Sequence, residues 1–185
     1  MVCGSASVGQ ANFNLILEFI KSVYQGLTVS SDDARVGLVV FADGVAVPFN
    51  YRKYKNTVEL DKAIGAVQYP GGAGNRIGRA LRKARGRLMR KSSRRNTPQV
   101  LVVFVADKAT DKVKKIAGIL KKKVAIIPIG VGGNSDKRLV RTLASSAGSS
   151  MAGVDYPQLP AARQDVVDMI NKGASKCNCL IFVFC

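Results

Sequence analysis

The chain contains no histidine, so the side chain that most often acts as general base or metal ligand near neutral pH is missing. Its serines include no strained nucleophile elbow, and its loops include no paired carboxylates, which leaves an enzyme as the least supported class. Acid is scarce, with 12 Asp plus Glu against 29 Lys plus Arg and a formal charge of +17. Such an imbalance creates a strong positive field whose natural partners are polyanions. Composition alone leaves nucleic acid, sulfated glycan and anionic membrane all open. Aromatic residues make up 6% and do not interleave the basic clusters, which argues against a platform for stacking single-stranded bases. No apolar run approaches the roughly 18 to 20 residues that span a bilayer, and no secretory leader is visible. A soluble chain with no membrane insertion is expected. Cysteine is absent from the whole middle: Cys3, Cys177, Cys179 and Cys185 all lie near the termini. That placement suits a disulfide joining the ends of a domain in an oxidising compartment better than the two close pairs of a zinc site.

What is present is a 185-residue chain, 47% hydrophobic, enough for one domain over 1–185 with a full core. Its terminal segment 176–185 is Cys-rich and ends in a strand. Leu15, Ile16, Phe19, Ile20, Val23 and Leu27 recur at helical spacing between Gly9 and Gly26. "ARVGLVVFA" (34–42) is too continuously apolar for a half-exposed strand, and Asp43-Gly44 turns it into a hairpin with Val45 to Tyr51. A short helix over 55–67, a Gly-rich loop over 69–75 and a long helix over 76–91 follow. Strands over 99–107 and 124–132 then alternate with helices over 111–122 and 135–147. A short strand over 151–154 and a helix over 158–172 complete the pattern before "CLIFVFC". The alternation predicts an α/β fold, a doubly wound, mostly parallel central sheet with helices on both faces.

In such a sheet the loops at the carboxyl ends of the strands converge, which draws together Gly4 to Ser7, Gly71 to Asn75, and Asp107. With "GSASVGQANFNLILEFI", "RVGLVVFAD", "YPGGAGNRIGRAL", "LVVFVAD" and "VAIIPIGVG" in this order, the chain resembles the von Willebrand factor type A domain over essentially its whole length. The resemblance implies a metal-ion-dependent adhesion site of the form Asp-x-Ser-x-Ser, with a Thr on the second loop and an Asp on the third. Ser5, Ser7 and Asp107 match three of those positions, while Cys3 stands at the first Asp and Asn75 at the Thr, with one extra residue in the Gly loop. A protonated thiol is a poor ligand for Mg²⁺, which prefers hard oxygens. The site is therefore expected to be degenerate: no cofactor, or Mg²⁺ held only weakly. The same residues also suit plain helix-capping and turn roles. The resemblance further implies a central first strand running directly into the serine loop, flanked by acids. "CLIFVFC" carries that pattern with cysteines for acids, so residues 180–184 are expected to lie between 35–41 and 100–105, bringing Cys185 near Cys3. A permuted order and a strand swapped between copies both remain open, and tandem domains or a homo-oligomer with them. Starting in mid-motif, the chain reads as a domain taken from something larger.

Ile77, Leu81, Ala84 and Leu88 give the 76–91 helix an apolar face. Its remaining face is almost wholly cationic, and like charges one turn apart cost a helix a few tenths of a kcal/mol per pair. Arg76, Arg79, Arg82, Lys83, Arg87 and Arg90, together with Lys114 and Lys115 on the next helix, are the candidate polyanion-binding residues; Arg forks pair bidentately with sulfate or phosphate. No residue is a catalytic candidate. The expected function is a secreted, non-enzymatic extracellular-matrix module that contacts a collagen-like protein and a sulfated glycosaminoglycan. The alternative is an intracellular nucleic-acid-binding module of the same fold.

Overall fold

In the computed structural model, which describes residues 1–91, 94 and 97–174 and the backbone of 181–184, seven strands form one sheet. They are Val2–Cys3 (β1), Arg35–Phe41 (β2), Val45–Phe49 (β3), Gln99–Val105 (β4), Ala125–Val131 (β5), Met151–Val154 (β6) and Ile181–Phe184 (β7). All pairings are parallel except the β2–β3 hairpin. The helices are Gln10–Gln25 (α1), Thr57–Gly65 (α2), Ile77–Ala84 (α3), Lys114–Lys121 (α4), Lys137–Leu143 (α5) and Arg163–Ala174 (α6). α1 packs with α2 and α6, and α4 packs with α3 and α5. Between these two groups β2, β4 and β5 are each buried at six successive positions. Parallel strands covered on both faces read as unbroken apolar runs for this reason. Among the described residues no helix is long and apolar enough to cross a membrane.

Two segments share the slot between β2 and β4. β7 fills its lower half, pairing Ile181 through Phe184 with Arg35 through Leu38 on one side and with Gln99 through Val102 on the other. β1 continues in the same direction, with Val2 opposite Val40 and Cys3 opposite Phe41. The Met1 amine donates to the Val102 carbonyl at 2.8 Å, and the Phe104 N–H donates to the Met1 carbonyl at 3.1 Å. The slot is thereby lined with backbone partners from Arg35 up to Phe41, and Cys3 is delivered to the rim. Cys177, Cys179, Leu180 and Cys185, with the pairing of Cys185 near Cys3, lie outside the described residues.

Local differences from the sequence reading have physical causes. The buried stripe of α1 is Phe13, Ile16, Leu17, Phe19, Ile20, Val23 and Tyr24, while Leu15 lies beside it and is 41% exposed. The helix expected over 76–91 is α-helical only to Ala84 and continues as a π-helical turn over Arg85–Arg90, which keeps both Leu88 and Met89 buried. Pro160, which lacks an N–H, falls within a 3₁₀ turn over Tyr156–Ala162, and α6 begins only after it. α4 starts at Lys114 rather than at Asp111, because Asp111 is engaged elsewhere.

Candidate functional site

The turn from β1 into α1 meets the Gly-rich loop and the loop after β4 at the rim of the sheet. Gly4 N–H donates to the Phe41 carbonyl at 2.8 Å, Ala6 N–H to the Gly72 carbonyl at 2.7 Å, and Thr110 N–H to the Asn75 carbonyl at 2.9 Å. Tyr69 Oη donates to the Ser5 carbonyl at 2.9 Å. Asp43, at the hairpin turn, accepts from Ala73 N–H at 3.1 Å. Gly72 holds φ +102 and approaches the Asp43 carboxylate so closely that a Cβ would lie 2.3 Å from Oδ2; only glycine fits there.

At the centre the structure brings Cys3, Ser5, Ser7 and Asn75 together. Cys3 Sγ and Ser5 Oγ share a hydrogen bond at 3.1 Å, and Ser5 Oγ and Ser7 Oγ another at 2.9 Å. Cys3 Sγ donates to Asn75 Oδ1 at 3.7 Å. The other end of the Asn75 amide donates to the carbonyls of Asp107 at 2.9 Å and Lys108 at 3.0 Å. Ser5 and Asn75 are 2% and 3% exposed, so both are sealed into this web; Ser7 is exposed and Asp107 half-buried. Burial pushes the Cys3 thiol up, the Ser5 hydrogen bonds pull it back in part, and the Asp107 charge pushes it up again. A thiol so placed stays protonated at neutral pH. Tyr156, whose ring lies against Gly132, borders the same site: burial, then Cys3 and Asp107, push its hydroxyl up to about 12.

These residues do not fit a hard divalent cation. The position of a carboxylate is held by a neutral sulfur, the two serine hydroxyls are bonded within the web, and the Asn75 amide is committed at both ends. Asp107 is the one carboxylate of the matched set, and its Oδ1 accepts from Lys108 N–H at 2.6 Å. No group of three or more Cys, Asp or Glu side chains clusters in metal-binding fashion among the described residues. Cys3 is buried, and among the described residues it forms no disulfide.

The cationic residues lie along α3 and its π-helical extension and at the start of α4. Arg76, Arg79, Arg82, Lys83, Arg87, Arg90, Lys114 and Lys115 are all exposed. On the α4 side, Arg82 pairs with Asp111 at 3.3 Å. Asp111 also accepts from Gly78 N–H at 2.7 Å and Arg79 N–H at 2.6 Å, capping the first turn of α3 from a different loop. On the β3 side, Lys83 donates to the Val45 carbonyl at 2.7 Å. The contacts that Tyr69, Asp43, Thr110, Asp111 and Tyr156 make here escaped the sequence reading, since they join loops distant in the chain.

The sequence model of the von Willebrand factor type A domain matches residues 2–164. Matrilin-4 of Mus musculus is 32% identical over 154 residues, 78% of this chain and 24% of that protein. Vitrin of Mus musculus is 30% identical over 66% of this chain and 19% of its own length. The collagen alpha-6(VI) chain of Mus musculus is 28% identical over 97% of this chain and 8% of its length. The chain thus spans about a quarter or less of these relatives. Among solved structures, proximal thread matrix protein 1 from the mussel byssus superposes with a TM-score of 0.83 at 20% identity over 90% of this chain and 46% of that one, in a form whose adhesion motif holds zinc. Manganese-loaded TRAP protein of Plasmodium vivax superposes with a TM-score of 0.73 at 15% identity over 89% of this chain and 70% of that one. At those identities the likeness is one of fold. The chain belongs to the von Willebrand factor type A domain family.

Proposed function

We propose that this domain is a non-enzymatic, extracellular matrix-adhesion module that engages its partners without a bound divalent metal. The hydrogen-bonded web of Cys3, Ser5, Ser7 and Asn75 carries the reading, because it satisfies internally the polar groups that a cation would otherwise draw together. Kinship with matrilins, vitrin and a collagen VI chain supports the matrix role. The formal charge of +17 and the exposed arginines of α3 support sulfated glycosaminoglycan as one ligand class; a collagen-like protein is the proposed protein partner. The test is solid-phase binding of the chain to immobilised collagen and heparin, with EDTA and with added Mg²⁺. Saturable binding to both, unchanged by EDTA, is the expected result. Loss of binding in EDTA overturns the metal-free reading, and failure on both matrices overturns the adhesion reading.

A further inference from the structure

The cations of the basic helix are not equivalent, and the difference locates a ligand. On the side facing α4, carboxylates lie among the cations: Asp111 pairs with Arg82 and accepts from the Arg79 backbone, and a cleft of about 470 Å³ there is lined by both Asp43 and Asp111 as well as by Arg76, Arg79 and Arg82. Toward β3 the chemistry changes. A second cleft of about 400 Å³ has β3 residues Val47, Pro48 and Phe49 along one wall and Lys83, Arg87 and Lys91 along the other, with Asn50 and Lys53 also lining it. No carboxylate lines it. None of these four cations makes an ion pair among the described residues.

Three features suit this cleft to a linear polyanion. Lys83, Arg87 and Lys91 recur every fourth residue along α3 and its π-helical extension, and all three line the same wall of the cleft. Cations at that spacing repel one another. The helix dipole offsets the repulsion in the last turn, but it reaches neither Lys83, two turns earlier, nor Lys53, which arrives from the segment after β3. Pro48, on the outer strand of the sheet, offers no N–H and is exposed, so this edge resists strand addition and presents a smooth apolar wall beside the charges. Phe49, the aromatic ring in the lining, is 3% exposed and offers no face for base stacking.

We infer that the cleft between β3 and the π-helical extension of α3, lined by Lys53, Lys83, Arg87 and Lys91, is the binding groove for a sulfated glycan chain. This rests on the polyanion part of the proposed function and narrows it to one edge of the helix. Sulfates pair with the row of ammonium and guanidinium groups, while sugar ring faces lie on Val47 and Pro48.

The experiment compares two triple variants of the full chain that remove equal charge. Lys53→Gln, Arg87→Gln and Lys91→Gln neutralise the cleft; Arg79→Gln, Lys114→Gln and Lys115→Gln neutralise the α4 side. Heparin affinity is measured for each at several salt concentrations, with thermal melting to confirm folding. Each lost contact reduces the slope of log Kd against log salt by slightly under one, so the cleft variant is expected to lose about two to three in slope and more than tenfold in affinity. The α4-side variant is expected to hold most of both. Equal losses in the two variants overturn the groove and leave a diffuse field as the source of binding. A larger loss in the α4-side variant moves the site there. Absence of heparin binding by the unmodified chain fails the polyanion reading itself. Desulfated heparin should not compete, and single-stranded RNA of equal charge competing as well as heparin overturns the glycan assignment.

Discussion

At Cys3 the substitution of one atom type decides what the rim can do. A carboxylate there would face Ser5 at the present 3.1 Å contact and Asn75 at the 3.7 Å contact, adding a second negative charge near Asp107. A neutral thiol removes that charge and is itself held protonated by burial. Cys3→Asp is therefore expected to destabilise the metal-free protein by about 2 to 3 kcal/mol, the cost of a buried group whose partners are mismatched. At about 2 to 4 °C per kcal/mol for a domain of this size, that is a Tm loss near 4 to 12 °C in EDTA. Millimolar Mg²⁺ or Mn²⁺ should restore part of it by mass action, whereas the unmodified chain should melt at one temperature with or without metal. A rise in the Tm of the unmodified chain on adding Mg²⁺ would contradict the web as described.

At the scale of elements, α3 depends on a residue that the sequence assigns to another helix. Its own N-cap, Arg76, makes no side-chain cap bond, and the cap comes from Asp111 through Gly78 and Arg79 N–H. Gly78 permits the approach, since a Cβ there would stand 2.3 Å from the Lys112 carbonyl. Asp111→Ala should cost about 1.5 to 2.5 kcal/mol, combining a lost cap with lost charge-assisted hydrogen bonds. Asp111→Asn should recover about half, as an amide oxygen still accepts. Equilibrium urea unfolding checks both; an Ala variant within 0.5 kcal/mol of the parent, on the order of a neutral surface change, would remove Asp111 from this role. The same example marks what could be read in advance. Strands β2, β4 and β5 were legible because burial on both faces imposes long apolar runs, and the Ile77, Leu81, Ala84 and Leu88 face because helical period imposes spacing. Ser5, Ser7 and Asp107 were legible from the first and third loops of a motif. The roles of Asp111, Asn75 and Tyr69 rest on contacts 33, 32 and 64 residues away, and no local pattern encodes such distances. That carboxylates lie among the cations on one side of the basic helix and line no part of the cleft on the other also needs β3 and Asp111 placed in space.

At the scale of the whole molecule, the sheet is closed by its two most distant segments, β7 and β1, lying in line between β2 and β4. The four register positions that β7 fills on each side would otherwise expose backbone donors and acceptors within the core. At about 1 to 3 kcal/mol for each buried group left unpaired, five such groups already match the 5 to 15 kcal/mol by which domains are usually stable. Deleting residues 179–185 is accordingly expected to abolish the cooperative melting transition or render the chain insoluble. Adding a peptide of that sequence to the refolding truncated chain should restore the transition, because it re-forms both parallel ladders. A truncated chain that stays soluble and melts cooperatively alone would show that the slot does not need this strand. Whether the strand belongs to the same chain or to a second copy is then a question of mass. A strand carried on the same chain acts at high effective concentration, which favours closure in cis, so sedimentation of the full chain should give one monomer mass at all concentrations. A dimer that dissociates on dilution together with loss of the melting transition would mean that each copy fills its partner's sheet.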